Sequence, residues 1–305
     1  MLNYFLRRLA RAVVTIIGIS ILVFIAARLS GDPTLHMLPE DASAADIAAL
    51  RAELGLDQAY WIQYLRYAMH ALQGDFGTSL RYGEPALPLV LQVVPATLQL
   101  ALSAFVLAKV AGIALGVIAA LNRGTWVDRG LRGGAILADS APPFWIGMML
   151  ILFFSIQLQW LPSSGRLSLE SMILPMLAIA IGSIATTLRL TRSSMLETLS
   201  ADYVKFLRSR GIPRRTIIWK HALRNAAIPV VALLGIQLGY LLAGTVIIET
   251  VFNWPGVGRL MVEALASRDF PVIQAGALFV SVVTVLLNLA VDMLFGVIDP
   301  RIRYE

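Results

Sequence analysis

Ser200-Ala-Asp-Tyr-Val-Lys-Phe-Leu-Arg-Ser-Arg-Gly-Ile-Pro-Arg-Arg-Thr-Ile-Ile-Trp-Lys-His-Ala-Leu-Arg-Asn225 is a basic, helix-patterned stretch set between two apolar runs, 171–188 and 226–248. Spanning a hydrocarbon core of about 30 Å at about 1.5 Å per residue takes about 20 residues. Both flanking runs approach or exceed that length, so the polar stretch stays in water while its neighbours enter the bilayer. Four further runs of this kind lie at roughly 12–28, 96–121, 134–161 and 272–298. In lipid every backbone polar group needs an internal partner, which helices provide. The fold class expected is an all-α membrane protein with six transmembrane helices.

Composition agrees. The 305 residues are 58% hydrophobic and 14% charged, with a mean hydropathy of +0.75, whereas charged residues make up about a quarter of soluble domains. The absence of cysteine removes disulfide frameworks, thiol nucleophiles and cysteine-bound metals. A net charge of +6 sits in short loops beside apolar runs, the pattern of membrane orientation, so nucleic acid is excluded as a partner. Arg7, Arg8 and Arg11 precede a first run too long for a signal peptide's apolar core, and the reading is an uncleaved first helix.

The loops orient the chain. The outer segment, about 30–94, carries Asp32, Glu40, Asp41, Asp46, Glu53, Asp57, Asp75 and Glu84 against Arg51, Arg66 and Arg81. The loop at about 189–225 reverses this balance, and Arg123, Arg129, Arg132, Arg301 and Arg303 fall on its side. The positive-inside rule then places both termini in the cytoplasm. The outer segment is too long for a plain connection. Residues 46–54 read as a helix stopped by Gly55, and 60–72 as an amphipathic helix stopped near Gly74. Tyr60, Trp61, Tyr64 and Tyr67 suit a helix at the membrane interface, or a docking surface for an external partner. No repeat or linker appears, and residues 1–305 read as a single membrane domain.

Within the basic loop, Ser194 and Glu197 read as a capping box restarting a helix. Met195, Leu199, Tyr203 and Phe206 make one apolar stripe, Gly211 ends the helix, and Pro213 begins a second one running toward Trp219 and His221. Such a pair either lies on the anionic leaflet or forms a rigid knob that a cytosolic protein grips.

The loop resembles the coupling loop of permease subunits in binding-protein-dependent ABC importers of the oligopeptide/dipeptide/nickel class. Gly211 stands at the family's glycine, Lys205-Phe206-Leu207 at its Glu-Ala-Ala start, and His221-Ala222-Leu223-Arg224 at its Ile-x-Leu-Pro end. Lys205, His221 and Arg224 depart from that pattern. Gly55-Leu-Asp57, Gln63-Tyr64, Gly74-Asp-Phe-Gly-Thr-Ser79, Asp139-Ser-Ala-Pro-Pro-Phe-Trp145, Glu249 through Leu260 and Asp299-Pro-Arg-Ile-Arg303 resemble signatures of the class, in order. The long outer segment resembles the B-type subunit. The resemblance implies a type I ABC importer permease fold and a bacterial inner-membrane location. It implies a C-type permease partner, two cytosolic ATPases that carry ATP and Mg, and an extracytoplasmic substrate-binding protein. Asp202, Tyr203, Lys205, Phe206, Gly211, His221, Leu223 and Arg224 are then the ATPase-coupling candidates.

Lys109 lies mid-span, where a charge costs about 2.5–3.5 kcal/mol. Asp139 and Asp292 are its candidate partners, either in a structural ion pair or lining the pathway. Pro142-Pro143 interrupts the third run; Gly112 and Gly116 form a small-xxx-small helix contact. Trp254, Pro255 and Gly256 predict a tight turn, an interface anchor and an outer-gate segment.

The chain has no Gly-x-x-x-x-Gly-Lys-Ser/Thr loop and no Gly-x-Ser-x-Gly, and His36, His70 and His221 are scattered. It therefore binds no cofactor or metal of its own and is not expected to be an enzyme. The expected function is a permease subunit forming half of a pathway for short peptides, with glutathione, nickel complexes or another small solute as alternatives. The competing classes are an ion-driven carrier relaying through Lys109, Asp139 and Asp292, and an intramembrane enzyme.

Overall fold

The computed structural model describes residues 2–29, 43–53 and 55–298. Asp32, His36, Glu40, Asp41 and the Asp299–Arg303 signature lie outside the described residues, as does the side chain of Asp292. Helices dominate; the only β feature among the described residues is a bridge between Thr78 and Pro85. The chain divides into two compact units, residues 1–96 with 255–305, and residues 97–254.

The first unit contains α1 (Leu2–Leu29), α2 (Ala44–Glu53) and α3 (Tyr60–Leu72). The first turns of α4 (Ala86–Leu121), α11 (Val257–Ala266) and α12 (Phe270–Ile298) complete it. Helices α1 and α12 pack together, and α3 lies on α1. Ser43 caps α2: its Oγ accepts from Asp46 N–H at 3.2 Å while Asp46 Oδ2 accepts from Ser43 N–H at 3.1 Å, a reciprocal box. The four tyrosine and tryptophan residues of α3 divide. Tyr60 and Trp61 are exposed, while Tyr64 and Tyr67 stack on Phe24 of α1 at 5.6 and 5.8 Å. Val90, Val257, Ala264, Val272 and Ala275 form this unit's core. The Gly74–Ser79 signature is tied down there: Ser79 Oγ donates to the buried Asp269, and Arg81 pairs with Glu263 at 3.4 Å.

The second unit holds the rest of α4, α5 (Trp126–Ser140) and α6 (Pro143–Leu150), which continues as a π-helical stretch, Ile151–Gln157. It also holds α7 (Ile173–Ser200), α8 (Asp202–Ser209), the short α9 (Arg214–Thr216) and α10 (Leu223–Val251). Helix α7 is the hub, packing on α5, α6 and α10. Gly112 and Gly116 permit its approach to α4. A Cβ on Gly116 would stand 2.6 Å from Thr191 Cβ and 2.8 Å from the Leu188 carbonyl; one on Gly112, 2.6 Å from Thr187 Cβ.

Four described helices are long and apolar enough to cross a membrane: Leu6–Leu29, Ala86–Leu121, Glu170–Ser200 and Phe270–Val291. Helix α10 contains the apolar run 226–248. The run 134–161, expected as one span, is instead the pair α5 and α6, bent by 106°. Ala141 and Pro142 are extended at the bend, because a residue preceding proline avoids the helical region.

Candidate coupling site

Helix α7 runs unbroken through Ser194 and Glu197 to Ser200, so the expected restart at Ser194 does not occur. Ser194 is buried inside the helix, and the break falls at Ala201, whose backbone is extended (ψ 149°). That break splits the expected stripe. Met195 stays in the core, while Tyr203 and Phe206 turn outward and Val204 turns in.

Helix α8 begins with Asp202, an anion at the positive end of the helix dipole, and Lys205 Nζ donates to its Oδ1 at 2.8 Å. It ends in a Schellman motif, with Gly211 N–H donating to Arg208 O at 2.9 Å and Ile212 N–H to Leu207 O at 3.2 Å. Gly211 takes φ +75° with open space around its absent Cβ. The requirement for glycine there is therefore one of backbone conformation. Pro213 blocks continuation; α9 then passes through a π-helical stretch, Ile217–Ala222, into α10.

The inner face is anchored. Ile218, Ala222 and Ala226 join Val117, Ala120 and Met195 in one buried cluster, and Asn225 Nδ2 donates to Tyr203 Oη at 2.9 Å. The outer face is aromatic and basic: Phe206 is 56% and Trp219 57% exposed, and Arg210 Cζ stands 5.1 Å over the Phe206 ring. Arg208, Arg214, Arg215, Lys220 and Arg224 are exposed as well, with His221 and Leu223 half-buried. Exposed aromatics rimmed by guanidinium groups on a rigid base have the makeup of a protein-binding hot spot for an acidic groove.

A buried ion pair, unassigned by sequence reading, braces the base of this loop. Arg192 on α7 donates from Nε to Asp128 Oδ1 at 2.6 Å and from Nη2 to Oδ2 at 2.8 Å. Gly124 N–H adds 3.0 Å to Oδ2, and the Asp128 side chain is 2% exposed. Asp128 is the lone acid in the basic 122–132 turn, a signal that could have marked it.

Of the in-span candidates, Lys109 and Asp139 are not brought together. Asp139 accepts from Arg189 Nη2 at 2.7 Å. Lys109 is 6% exposed; its Nζ donates to Ser183 Oγ at 3.1 Å and Thr187 Oγ1 at 3.2 Å and lies 5.1 Å over Phe105. Among the described residues, hydroxyls and an aromatic face solvate the ammonium. The expected interface anchor Trp254 is instead a core residue, 1% exposed. Asn253 turns the chain back with φ 51°, Trp254 N–H donates to Glu249 O at 2.8 Å, and Arg166 lies 5.9 Å over the indole. Gly256 is buried and Pro255 half-buried.

The model of the binding-protein-dependent transport system inner membrane component matches residues 112–304, and that of the corresponding N-terminal membrane component matches residues 1–101. The chain belongs to this family. Glutathione transport system permease proteins GsiC from Salmonella paratyphi A and Escherichia coli are each 42% identical over 306 residues, covering all of both chains. An inward-facing structure of the MetNI methionine ABC transporter superposes with a TM-score of 0.59 at 18% identity, covering 71% of this chain and 99% of that one. An amino acid ABC transporter crystallised with histidines gives 0.51 at 15% identity, covering 68% and 92%. At these identities the likeness to the two structures is one of fold, that of type I importers.

This binding-protein-dependent permease is thus a multi-pass inner-membrane subunit of an ABC importer and not an enzyme. Its family works with ATPase subunits and a binding protein. Besides Asp128 and Arg192, residue patterns left unassigned Asp269 and Glu249. The Glu249 carboxylate is fully buried and accepts from Thr97 Oγ1 at 2.7 Å.

Proposed function

We propose that this chain forms half of a translocation pathway for short peptides, paired with a related C-type permease and moved by two cytosolic ATPases that grip the 202–225 loop. The observation carrying this reading is the loop itself: a rigid two-helix knob, anchored below by the Ile218–Ala222 cluster and presenting Phe206 and Trp219 outward. Both termini and this loop lie in the cytoplasm. ATP and Mg act on the partner subunits; closing of the ATPases swings the knob, α7 and α10 carry the motion into the bilayer, and hydrolysis resets it. Asp202, Tyr203, Lys205, Phe206 and Arg224 make the contact face, with Gly211 setting its shape. Residues 1–305 serve as one permease domain, with Trp254, Pro255 and Gly256 as the framework of the outer gate.

Glutathione is the first solute to test, since the full-length relatives at 42% identity are glutathione permeases. Uptake is measured in vesicles holding the chain with its partner permease, ATPases and binding protein. ATP-dependent uptake is expected with Gly211→Asn, because asparagine tolerates positive φ, and its loss with Gly211→Val, because a β-branched residue does not. Equal uptake by both variants, or uptake without the ATPases, contradicts the assignment.

A further inference from the structure

Between α1 and α3, at the Arg28 end of the first span, lies a cavity of about 330 Å³. Arg28, Gln63, Arg66, Tyr67, His70 and Asp75 supply its polar wall, and that volume is within the range of small-ligand sites. Two of these groups are buried with an unmet hydrogen-bonding need: Gln63 Oε1, an acceptor, and the Tyr67 hydroxyl. Gln63 is 93% removed from solvent, and its amide is fixed by donation to the Leu56 and Gln58 carbonyls at 3.1 and 2.7 Å. Its free oxygen therefore cannot rotate away. Burial pushes the Tyr67 phenol up to about 12, so this group is a permanent O–H donor at physiological pH. An unsatisfied buried donor and acceptor each cost free energy until a ligand or water meets them.

The missing partner is defined by what surrounds it. The Tyr67 O–H and the Arg66 guanidinium beside it, which spends only its Nη2 on Gln58 Oε1 at 3.1 Å, call for an oxyanion; Gln63 Oε1 calls for an N–H, and Asp75 adds a negative wall on the other side. The ligand is a zwitterion with both charges a few bonds apart. Its location selects the source: the cavity adjoins the end of a membrane span, and Trp61, Leu65, Met69 and Leu72 form an exposed apolar stripe along α3, suited to acyl chains at the interface.

We propose that this cavity seats the head group of a phosphatidylethanolamine, its phosphodiester against Arg66 and Tyr67 and its ammonium toward Gln63 Oε1 and Asp75. The bound lipid clamps α3 onto α1. The inference is independent of the transport reading, because it is tested on the chain alone.

The test titrates the purified full-length chain, in detergent free of phosphatidylethanolamine, with dihexanoyl-phosphatidylethanolamine, dihexanoyl-phosphatidylcholine or dialanine, following the thermal midpoint. The ethanolamine lipid raises the midpoint saturably, at a concentration about tenfold below the choline lipid, which offers no N–H. Tyr67→Phe keeps the packing on Phe24 and Phe76. It leaves the lipid-free midpoint unchanged and weakens the ethanolamine response about tenfold; Arg66→Gln weakens it likewise. Equal responses to both lipids, a response unaltered in both variants, no response, or a response to dialanine alone overturns the proposal.

Discussion

Replacing Arg192 with methionine isolates the brace beneath the coupling loop. Asp128, 2% exposed, loses two charge-assisted hydrogen bonds of 2.6 and 2.8 Å and keeps the Gly124 N–H at 3.0 Å and the more distant charge of Arg132. Each lost bond is worth about 1.5–3 kcal/mol, and stranding a buried charge costs about 3–5 kcal/mol in total. For a unit of this size the thermal midpoint falls by about 10 °C. The double variant Asp128→Asn, Arg192→Met removes the stranded charge as well and recovers at least half of the loss, because a neutral amide is cheaper to leave under-bonded than a carboxylate. The assay is thermal unfolding in detergent of wild type, both single variants and the double variant, read as a double-mutant cycle. A midpoint unchanged in Arg192→Met, or a double variant no more stable than that single one, refutes the reasoning.

Three further outcomes follow from other parts of the chain. Gly116→Ala drives a methyl to 2.6 Å from Thr191 Cβ and 2.8 Å from the Leu188 carbonyl, so α4 and α7 separate; a loss of about 1–3 kcal/mol is expected, and wild-type thermal stability would contradict it. Lys109→Met replaces an ammonium that, among the described residues, is held by two hydroxyls and a ring with an apolar chain of similar length. Wild-type folding and ATP-driven uptake are expected, and loss of uptake with folding intact would place Lys109 in the pathway. The Asp75 carboxyl is held below its usual range first by the Gly77 N–H and then by His70. Its contribution to the α3–α4 turn is therefore complete above about pH 4 and fades as pH falls through its lower folded value. Hydrogen exchange across 70–79 in acid shows this, and an identical acid profile in Asp75→Asn would remove the cause.

Reading residues in order served well where structure is local. Helices 60–72 and the ends at Gly55, Gly74 and Gly211 follow from apolar period and turn chemistry, and the Gly112–Gly116 contact from spacing. It served less well where a distant partner decides. Ser194 looks like a cap because of Glu197, yet α7 continues past both because its buried face against α4, α5 and α10 outweighs a local stop. Trp254 looks like an interface anchor until the Asn253 reversal folds it under Arg166. Asp139 looks like a partner for Lys109, but Arg189, fifty positions on, takes it. The 106° bend at Pro142-Pro143 was legible as an interruption and not as an angle, since the angle is set by what α5 and α6 pack against. The Asp128–Arg192 pair required knowing that the start of α5 meets the end of α7.

The central claim, that the exposed face of the 202–225 loop is where ATPases take hold, is most directly tested by cross-linking. The chain contains no cysteine, so Phe206→Cys and Trp219→Cys each introduce a unique thiol on that face, and Trp61→Cys on α3 serves as the control. In membranes containing the complete importer, a short thiol-reactive cross-linker joins Phe206→Cys and Trp219→Cys to the ATPase subunits, with a yield that changes on ATP binding, and leaves Trp61→Cys unlinked to them. ATPases absent from the loop adducts, in a preparation that still imports solute on ATP, would contradict the account.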